Sequence, residues 1–344
     1  MGRRFEQIAA LKTNRKGAKN FQVFFAFCRR KLIMTAQPQI STQLATRNTQ
    51  GAVSRFLKNP LALAGALLLL MLFTCAIGAP FLGKSPDASL PYASGLDKLG
   101  VPTAPGSEFR LGADTLGRDV WTRALFGARV SLGVAFCAML TSTLIGTTIG
   151  LIGGFFGGRT DRALTRFTEI IAALPTILLA ITLSKVLPDR LPDFWLFKSL
   201  GISPDLTLPR LLLAIGLVTW TGIARAVRGQ TLALKQREFI EAARALGVGN
   251  GRVLTRHLLP NVLPTVIVLA TLATANTILL EAGLSYLGLG DPSRPSWGSQ
   301  IAEGQPYFAS APWIVLVPGI AIVCAVTAFN LIGNALQDAL ETRK

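Results

Sequence analysis

The stretch REFIEAARALGVGNGRVLTRHLLPNVLP, Arg237 to Pro264, decides how the rest of the chain is read. It is too polar to cross a bilayer, yet Phe239, Ala242, Ala243 and Leu246 recur at helical spacing and predict a short helix with an apolar strip. Gly247 and Gly249 suit its C-terminus. A second short helix is expected from about Gly251 to Leu259, with Arg252 and Arg256 one turn apart, and Pro260 leads into an apolar run. The product is a helical elbow between two hydrophobic segments. An exposed elbow of this kind either lies on lipid headgroups or docks into a partner's groove. The small alanines beside Glu241 favour docking, because they let another helix come close, whereas a membrane-lying helix needs larger anchors.

On either side of the elbow lie runs long enough to cross a bilayer core, which takes about 20 helical residues. Five are continuous: Leu61 to Leu82, Val130 to Phe156, Leu211 to Leu232, Val262 to Leu280 and Trp313 to Leu336. A sixth, Ile170 to Leu187, contains Pro175, which membrane helices tolerate when neighbours satisfy the freed carbonyl. The expected fold is therefore all-α, a polytopic membrane protein with six transmembrane helices.

The composition agrees. Half of the 344 residues are hydrophobic, 15% are charged and the mean hydropathy is +0.46, too apolar for an ordinary soluble globule. The net charge of +17 is not the footprint of a nucleic-acid binder, because the basic residues punctuate apolar runs instead of forming a polar face. Their expected partner is membrane lipid at the cytoplasmic surface. Cys28, Cys75, Cys137 and Cys324 show no metal-ligand spacing; three fall in apolar runs and read as small buried hydrophobes. His257 is the single histidine, so a multi-histidine metal site is impossible within the chain, and no metal or cofactor is expected.

Lys and Arg set the orientation. They crowd the N-terminal tail (Arg29, Arg30, Lys31, Arg47, Arg55, Lys58), the connection carrying Arg159, Arg162 and Arg166, and the segment from Arg225 to Arg256. The segments Gly83 to Arg129, Pro188 to Pro209 and Ser285 to Pro312 mix acids and bases nearly evenly. Both termini and the elbow are thus expected in the cytoplasm of a multi-pass inner-membrane protein. Residues 1–60 form a basic tail; Phe21 to Cys28 is either an interfacial anchor or sequence upstream of a start at Met34. Residues 61–82 are the first span, 83–129 an external segment, 130–338 the core with the elbow at 237–261, and 339–344 a short tail.

Gly146, Gly150, Gly154 and Gly158 recur every four residues along the second span, with Gly153 and Gly157 beside them. That spacing opens a groove where another backbone approaches closely, either in a translocation bundle or as generic membrane-helix packing. GAPFLGKS, Gly78 to Ser85, matches the P-loop expression but lacks the strand before and the helix after that phosphate binding requires, and Pro80 and Pro86 interrupt it. ATP hydrolysis by this chain is not expected. No nucleophile and base pair stands out. Glu169, Lys185, Arg225 and Glu281 sit near predicted span ends, where snorkelling to the interface explains them without an ion relay.

Glu241, Ala242, Ala243, Gly247, His257, Leu259, Pro260 and Asn261 resemble the EAA loop of binding-protein-dependent ABC importer permeases. Three further segments are similar to the dipeptide and oligopeptide branch of that family, which also includes nickel importers. They are LGADTLGRDVWTRALFGARVSL (Leu111 to Leu132), GGFFGGRTDRALTRFTEIIAALP (Gly153 to Pro175) and EAGLSYLGLGDPSRPSWGSQI (Glu281 to Ile301). Departures from the branch pattern are Phe109, Ala113, Asn334 and Gln337, together with an insert from about Ser85 to Gly106 that reads as a surface loop.

The resemblance implies a type I ABC importer permease fold. It also implies three kinds of partner: a second homologous permease subunit, two cytoplasmic ATP-binding subunits and an extracytoplasmic solute-binding protein. In the implied mechanism the loop is the coupling element. Glu241 makes a polar contact with the ATPase, Ala242 and Ala243 supply a close-packed face, Gly247 allows the bend, and His257 and Pro260 set the second elbow helix. Asp114, Gly117, Arg118 and Asp119, with Pro295, Trp297 and Gly298, are expected at the external mouth. Peptides are the favoured solutes, with nickel complexes, glutathione-like compounds and glycosides as alternatives. The rival reading is a stand-alone secondary carrier or channel, which predicts inverted repeats and broken helices with polar groups at the midplane.

Overall fold

The computed structural model describes residues 54–83, 95–97, 100–188 and 207–340. Residues 54–58 are helical and belong to a separate unit that ends at Lys58; the account below concerns the unit from Asn59 onward. The tail calls on residues 1–53, including the start at Met34 and the run Phe21 to Cys28, lie outside the described residues.

Nine helices follow among the described residues, with no strand between them. Helix α1, Pro60–Leu82, is started by Asn59, whose side chain accepts from the Leu61 amide at 3.0 Å, and by Pro60 at its first position. Gly78 to Leu82, the larger part of the P-loop-like match, are simply its last turn and a half. Helix α2, Val120–Phe156, begins ten residues before the predicted span, because Asp119 caps it: its carboxylate accepts from the Trp121 and Thr122 amides. At 1.5 Å per residue the helix is about 55 Å long, well beyond a bilayer core. Gly157, at φ +68°, ends it.

The sixth span is not one straight rod. Helices α3, Gly158–Ala173, and α4, Thr176–Val186, are bent by 97° at Leu174 and Pro175. Proline disfavours the helical conformation of the residue before it, and Leu174 is extended at φ −82° and ψ 139°. Among the described residues five helices are long and apolar enough to cross a membrane, and six spans result when the bent pair is taken as one.

Helix α5 is Thr207–Lys235, and α6, Glu238–Ala245, is the first elbow helix. The second is not separate. Asn250–Arg252 runs through a π-turn, Val253–Leu258, directly into α7, Leu259–Tyr286. The widened turn accommodates Pro260, which has no N–H to give and whose ring would clash with the carbonyl of Arg256 in a regular helix. Helix α8, Trp297–Gly304, and α9, Trp313–Leu340, complete the fold.

Packing fixes the directions. Gly146, Gly150 and Gly154 of α2 meet Ile223, Val227 and Thr231 of α5 in the same order, so these two helices run parallel. Gly65 of α1 lies against Leu331 of α9, and Gly83 against Thr122, so α1 runs opposite to α2 and α9. Helix α7 packs against α2 in the antiparallel sense: Val262 and Val266 join Leu151 and Phe155, while Ala282 joins Ala128. The bundle therefore has an elbow end, where α5 and α9 finish and α1 and α7 start, and an opposite mouth end. Its core comprises an elbow-end cluster around Ile240, Val253 and Val262 and three mouth-end clusters around Trp297, Leu284 and Ile314.

Several side chains lie otherwise than the sequence suggests. None of the three described cysteines is buried, and Cys137 is exposed, because each lies at the rim or on the outside of its helix. Glu169, Lys185 and Arg225 are exposed, but Glu281 is wholly buried instead of snorkelling.

Candidate functional site

The predicted residues form no single pocket. They fall into an elbow, a shaft and a mouth along the bundle axis.

At the elbow, α6 closes with a Schellman motif. Gly247, at φ +76°, donates its amide to the Arg244 carbonyl at 2.9 Å, and Val248 donates to Ala243 at 3.1 Å. The anticipated apolar strip is divided between two faces. Ile240 and Ala243 are buried against Val253 and Leu258, whereas Phe239, Ala242 and Leu246 point outward, Leu246 at 69% exposure. Glu241 is exposed beside Ala242. The guanidinium of Arg244 lies 5.1 Å from the centre of the Phe155 ring, tying α6 to the end of α2. His257 is half-buried on the π-turn, and its carbonyl accepts from Asn261 Nδ2 at 2.6 Å. Pro260 is exposed at the start of α7.

Along the shaft, a methyl group on Gly146 would meet the Trp220 carbonyl at 2.7 Å, and one on Gly150 the Ala224 carbonyl at 2.7 Å. One on Gly154 would lie 2.7 Å from Thr231 Cβ. Gly216 answers from α5 against Thr141. Gly158 is not in this row: it has open space around it and sits at φ +57° in the turn that starts α3, so its service is conformational. Beside the shaft, Arg228 of α5 donates to both carboxylate oxygens of Asp161 of α3 through one guanidinium edge, Nε at 2.5 Å and Nη2 at 2.7 Å. Phe167 stacks on Trp220 at 5.8 Å.

At the mouth, a chain of charges replaces the isolated residues expected. Asp114 Oδ2 accepts from Arg118 Nε and Arg123 Nη1, both at 2.6 Å. Its Oδ1 accepts from the amides of Leu116 and Arg118. Glu303 of α8 completes the set, 2.8 Å from Arg118 Nη2 and 3.0 Å from Arg123 Nη2. Burial pushes the Glu303 carboxyl above the usual range; the charge of Arg118 opposes that shift and Asp114 adds to it. Gly117, at φ +76°, turns the loop between Asp114 and Asp119, and Gly95 of the insert rests on the Gly117 backbone. Thr103 donates to Gly95 and accepts from Ala113, so the described part of the insert is folded onto this segment.

Ser296 caps α8 in a reciprocal capping box with Ser299, directly after the half-buried Pro295. Trp297 is 1% exposed; its amide donates to Ser131 Oγ at 3.2 Å and its indole to the Ala124 carbonyl at 3.1 Å. Gly298 has no room for a side chain, since a Cβ there would run into the Ala282 carbonyl of α7.

Arg123 and Glu303 were missed in the sequence, and the signal was thin. Arg123 falls on the inner side of a helix whose start was placed seven residues later, at Val130. Among the described residues no three His, Cys, Asp or Glu side chains gather as metal ligands would.

Comparison with known proteins places these features in context. The family model of the binding-protein-dependent transport system inner membrane component matches residues 146–344, and that of the N-terminal transmembrane domain of oligopeptide transport permease C matches residues 48–95. The dipeptide transport system permease protein DppC of Alkalihalophilus pseudofirmus is 37% identical over 85% of this chain and 89% of its own. The glutathione transport system permease protein GsiD of Pectobacterium atrosepticum is 32% identical over 92% and 98%. The oligopeptide transport system permease protein OppC of Bacillus subtilis is 34% identical over 85% and 88%.

Proposed function

The chain belongs to the family of binding-protein-dependent transport system inner membrane components, and on that premise we propose that its elbow is where a separate ATPase drives solute across the membrane. As a permease subunit of such an importer it is a multi-pass inner-membrane protein and not itself an enzyme. The observation that carries the coupling role is the outward apolar face of α6, Phe239, Ala242 and Leu246 beside Glu241, on a helix otherwise anchored to the core through Ile240 and Ala243. A short helix held on one side and apolar on the other is complete only with a partner's groove over it.

The orientation follows from charge. Arg237, Arg244, Arg252 and Arg256 surround the elbow and support a cytoplasmic orientation for that end and for both termini. The mouth then faces a solute-binding protein, the apolar outer side of α1 faces lipid chains, and the basic elbow end lies near anionic headgroups. Two ATP-binding subunits and a second permease subunit complete the assembly. Glu241 makes a polar contact with the ATPase, Ala242 lies in the groove, Gly247 sets the exit of the elbow, and His257 and Pro260 shape the π-turn that continues it. The peptide-type solutes named for DppC, OppC and GsiD are the proposed cargo.

The test is co-purification of the assembled complex and ATP-dependent uptake of a peptide library in proteoliposomes, with Glu241→Arg alongside. The wild type should retain its ATPase and import; Glu241→Arg should lose both. A variant that keeps its partner and its rate, or import by this chain alone, refutes the proposal.

A further inference from the structure

Glu281 takes no part in that reading, and its setting demands an account. It lies in the last two turns of α7, fully buried, where that helix passes the start of α8. Oε1 accepts from Ser285 Oγ at 2.8 Å, and the hydroxyls of Ser131 on α2 and Ser296 at the cap of α8 face the same carboxyl. Oε2 has no partner at hydrogen-bonding geometry. An ionisable group inside a span is costly to insert, so a leucine here would be the cheaper filling. Stability therefore gives no reason for a glutamate at this position.

Position gives one. The residue after it, Ala282, presents the carbonyl on which Gly298 of α8 rests, and Trp297 bonds to Ser131 on the other side. Three helices thus meet at one carboxyl. Helix α8 is in turn tied to the external segment, because its Glu303 pairs with Arg118 and Arg123. In the other direction the helix that carries Glu281 continues without interruption from Tyr286 back to Asn250 in the elbow, 37 residues, or about 55 Å of helix.

We propose that Glu281 is a positioning residue that fastens the mouth helix α8 to the far end of the elbow-bearing helix, so that docking at the mouth and displacement of the elbow are one mechanical event. Its carboxyl accepts from Ser285 on its own helix and sits where the Trp297–Ser131 bond and the Gly298–Ala282 contact already bring the three helices together. The inference rests on the elbow being the ATPase contact.

The experiment uses the full complex in proteoliposomes with its binding protein. It measures ATP hydrolysis with and without liganded binding protein and the maleimide labelling rate of Ala302→Cys in a background lacking the native cysteines. Glu281→Leu should keep the ATPase bound and basal hydrolysis within about twofold, lose about tenfold in stimulation by the binding protein, and label faster at position 302. Glu281→Gln should stay near wild type, since an amide both accepts and donates at this site. Full stimulation with unchanged labelling in Glu281→Leu overturns the proposal, and so does a Glu281→Gln variant as defective as the leucine. Should the leucine variant fail to assemble, Glu281→Asp decides: its carboxyl is one methylene short, and retained stimulation there is equally fatal. Glu241→Arg in the same series separates the two ideas. If it keeps its partner and rate, the elbow reading fails, whereas slower or faster labelling at position 302 still reports on the fastening.

Discussion

The two ends of the bundle use the same local chemistry to opposite effect. At the mouth, α7 closes with a Schellman motif in which Gly288, at φ +79°, donates to Ser285 and Leu289 donates to Leu284. Leu284 and Leu289 then meet in the core, both almost fully buried. At the elbow, α6 closes with the same pair of bonds through Gly247 and Val248, but Leu246 and Phe239 are left outside. The mouth has also paired its charges internally, with Arg123 buried between Asp114 and Glu303. The elbow's Glu241 faces outward. One end pairs its leucines and charges within the chain, and the other leaves Phe239, Leu246 and Glu241 facing outward.

Substitutions at the mouth should therefore strike stability first. Arg123→Met removes one partner of a buried ionic set and strands Asp114, whose Oδ2 then keeps only Arg118; about 3 kcal/mol should be lost. Thermal unfolding of the detergent-solubilised chain measures it, and a midpoint within a degree or two of wild type would mean that the set is not closed. Gly298→Ala comes next. The added methyl meets backbone, the Ala282 carbonyl, which cannot rotate away, so a loss of about 2 kcal/mol is expected in the same assay.

Much of this was legible beforehand. Apolar run lengths gave the spans, the four-residue glycine period gave the α2 and α5 contact at three of its four positions, and the spacing around Gly247 gave the elbow. Gly158 failed because a period says nothing of where a helix ends: Gly157 had already turned the chain. The elbow's strip was misread because residues 239, 242, 243 and 246 span both sides of so short a helix, and Ile240 with Ala243, not Phe239, is buried. Glu281 was misplaced for a different reason. Distance from a span end predicts snorkelling only if the neighbouring surface is free, and α8, which begins at Trp297, folds back against the helix that carries Glu281. Arg123 and Glu303 are 180 apart in sequence, so no local pattern joins them.

Elbow substitutions should show the converse. Gly247→Ala introduces a side chain at φ +76° with open space around it, so only the conformational penalty applies, about 1 kcal/mol. Phe239→Ser, on the outward face, should leave the unfolding midpoint of the isolated chain within about 0.5 kcal/mol of wild type. Both should weaken co-purification of the ATPase far more than they alter stability. An elbow variant that unfolds as readily as Arg123→Met would erase the distinction between the two ends.

The smallest effect concerns acid at the mouth. Burial raises the Glu303 carboxyl above the usual glutamate range, against the pull of Arg118. In the window between the unfolded and folded values the folded chain holds more protons than the unfolded one, so Glu303's contribution is fully present below the unfolded value and is lost as pH rises through the folded value. The side chain is still 38% exposed, and solvent screening keeps the effect to a shallow slope. Glu303→Gln, which cannot ionise, should flatten the unfolding midpoint's fall with rising pH above the ordinary carboxylate range. If the slope survives the substitution unchanged, the acid response belongs to another carboxyl, and the mouth's charges are paired more tightly than the burial of Glu303 implies.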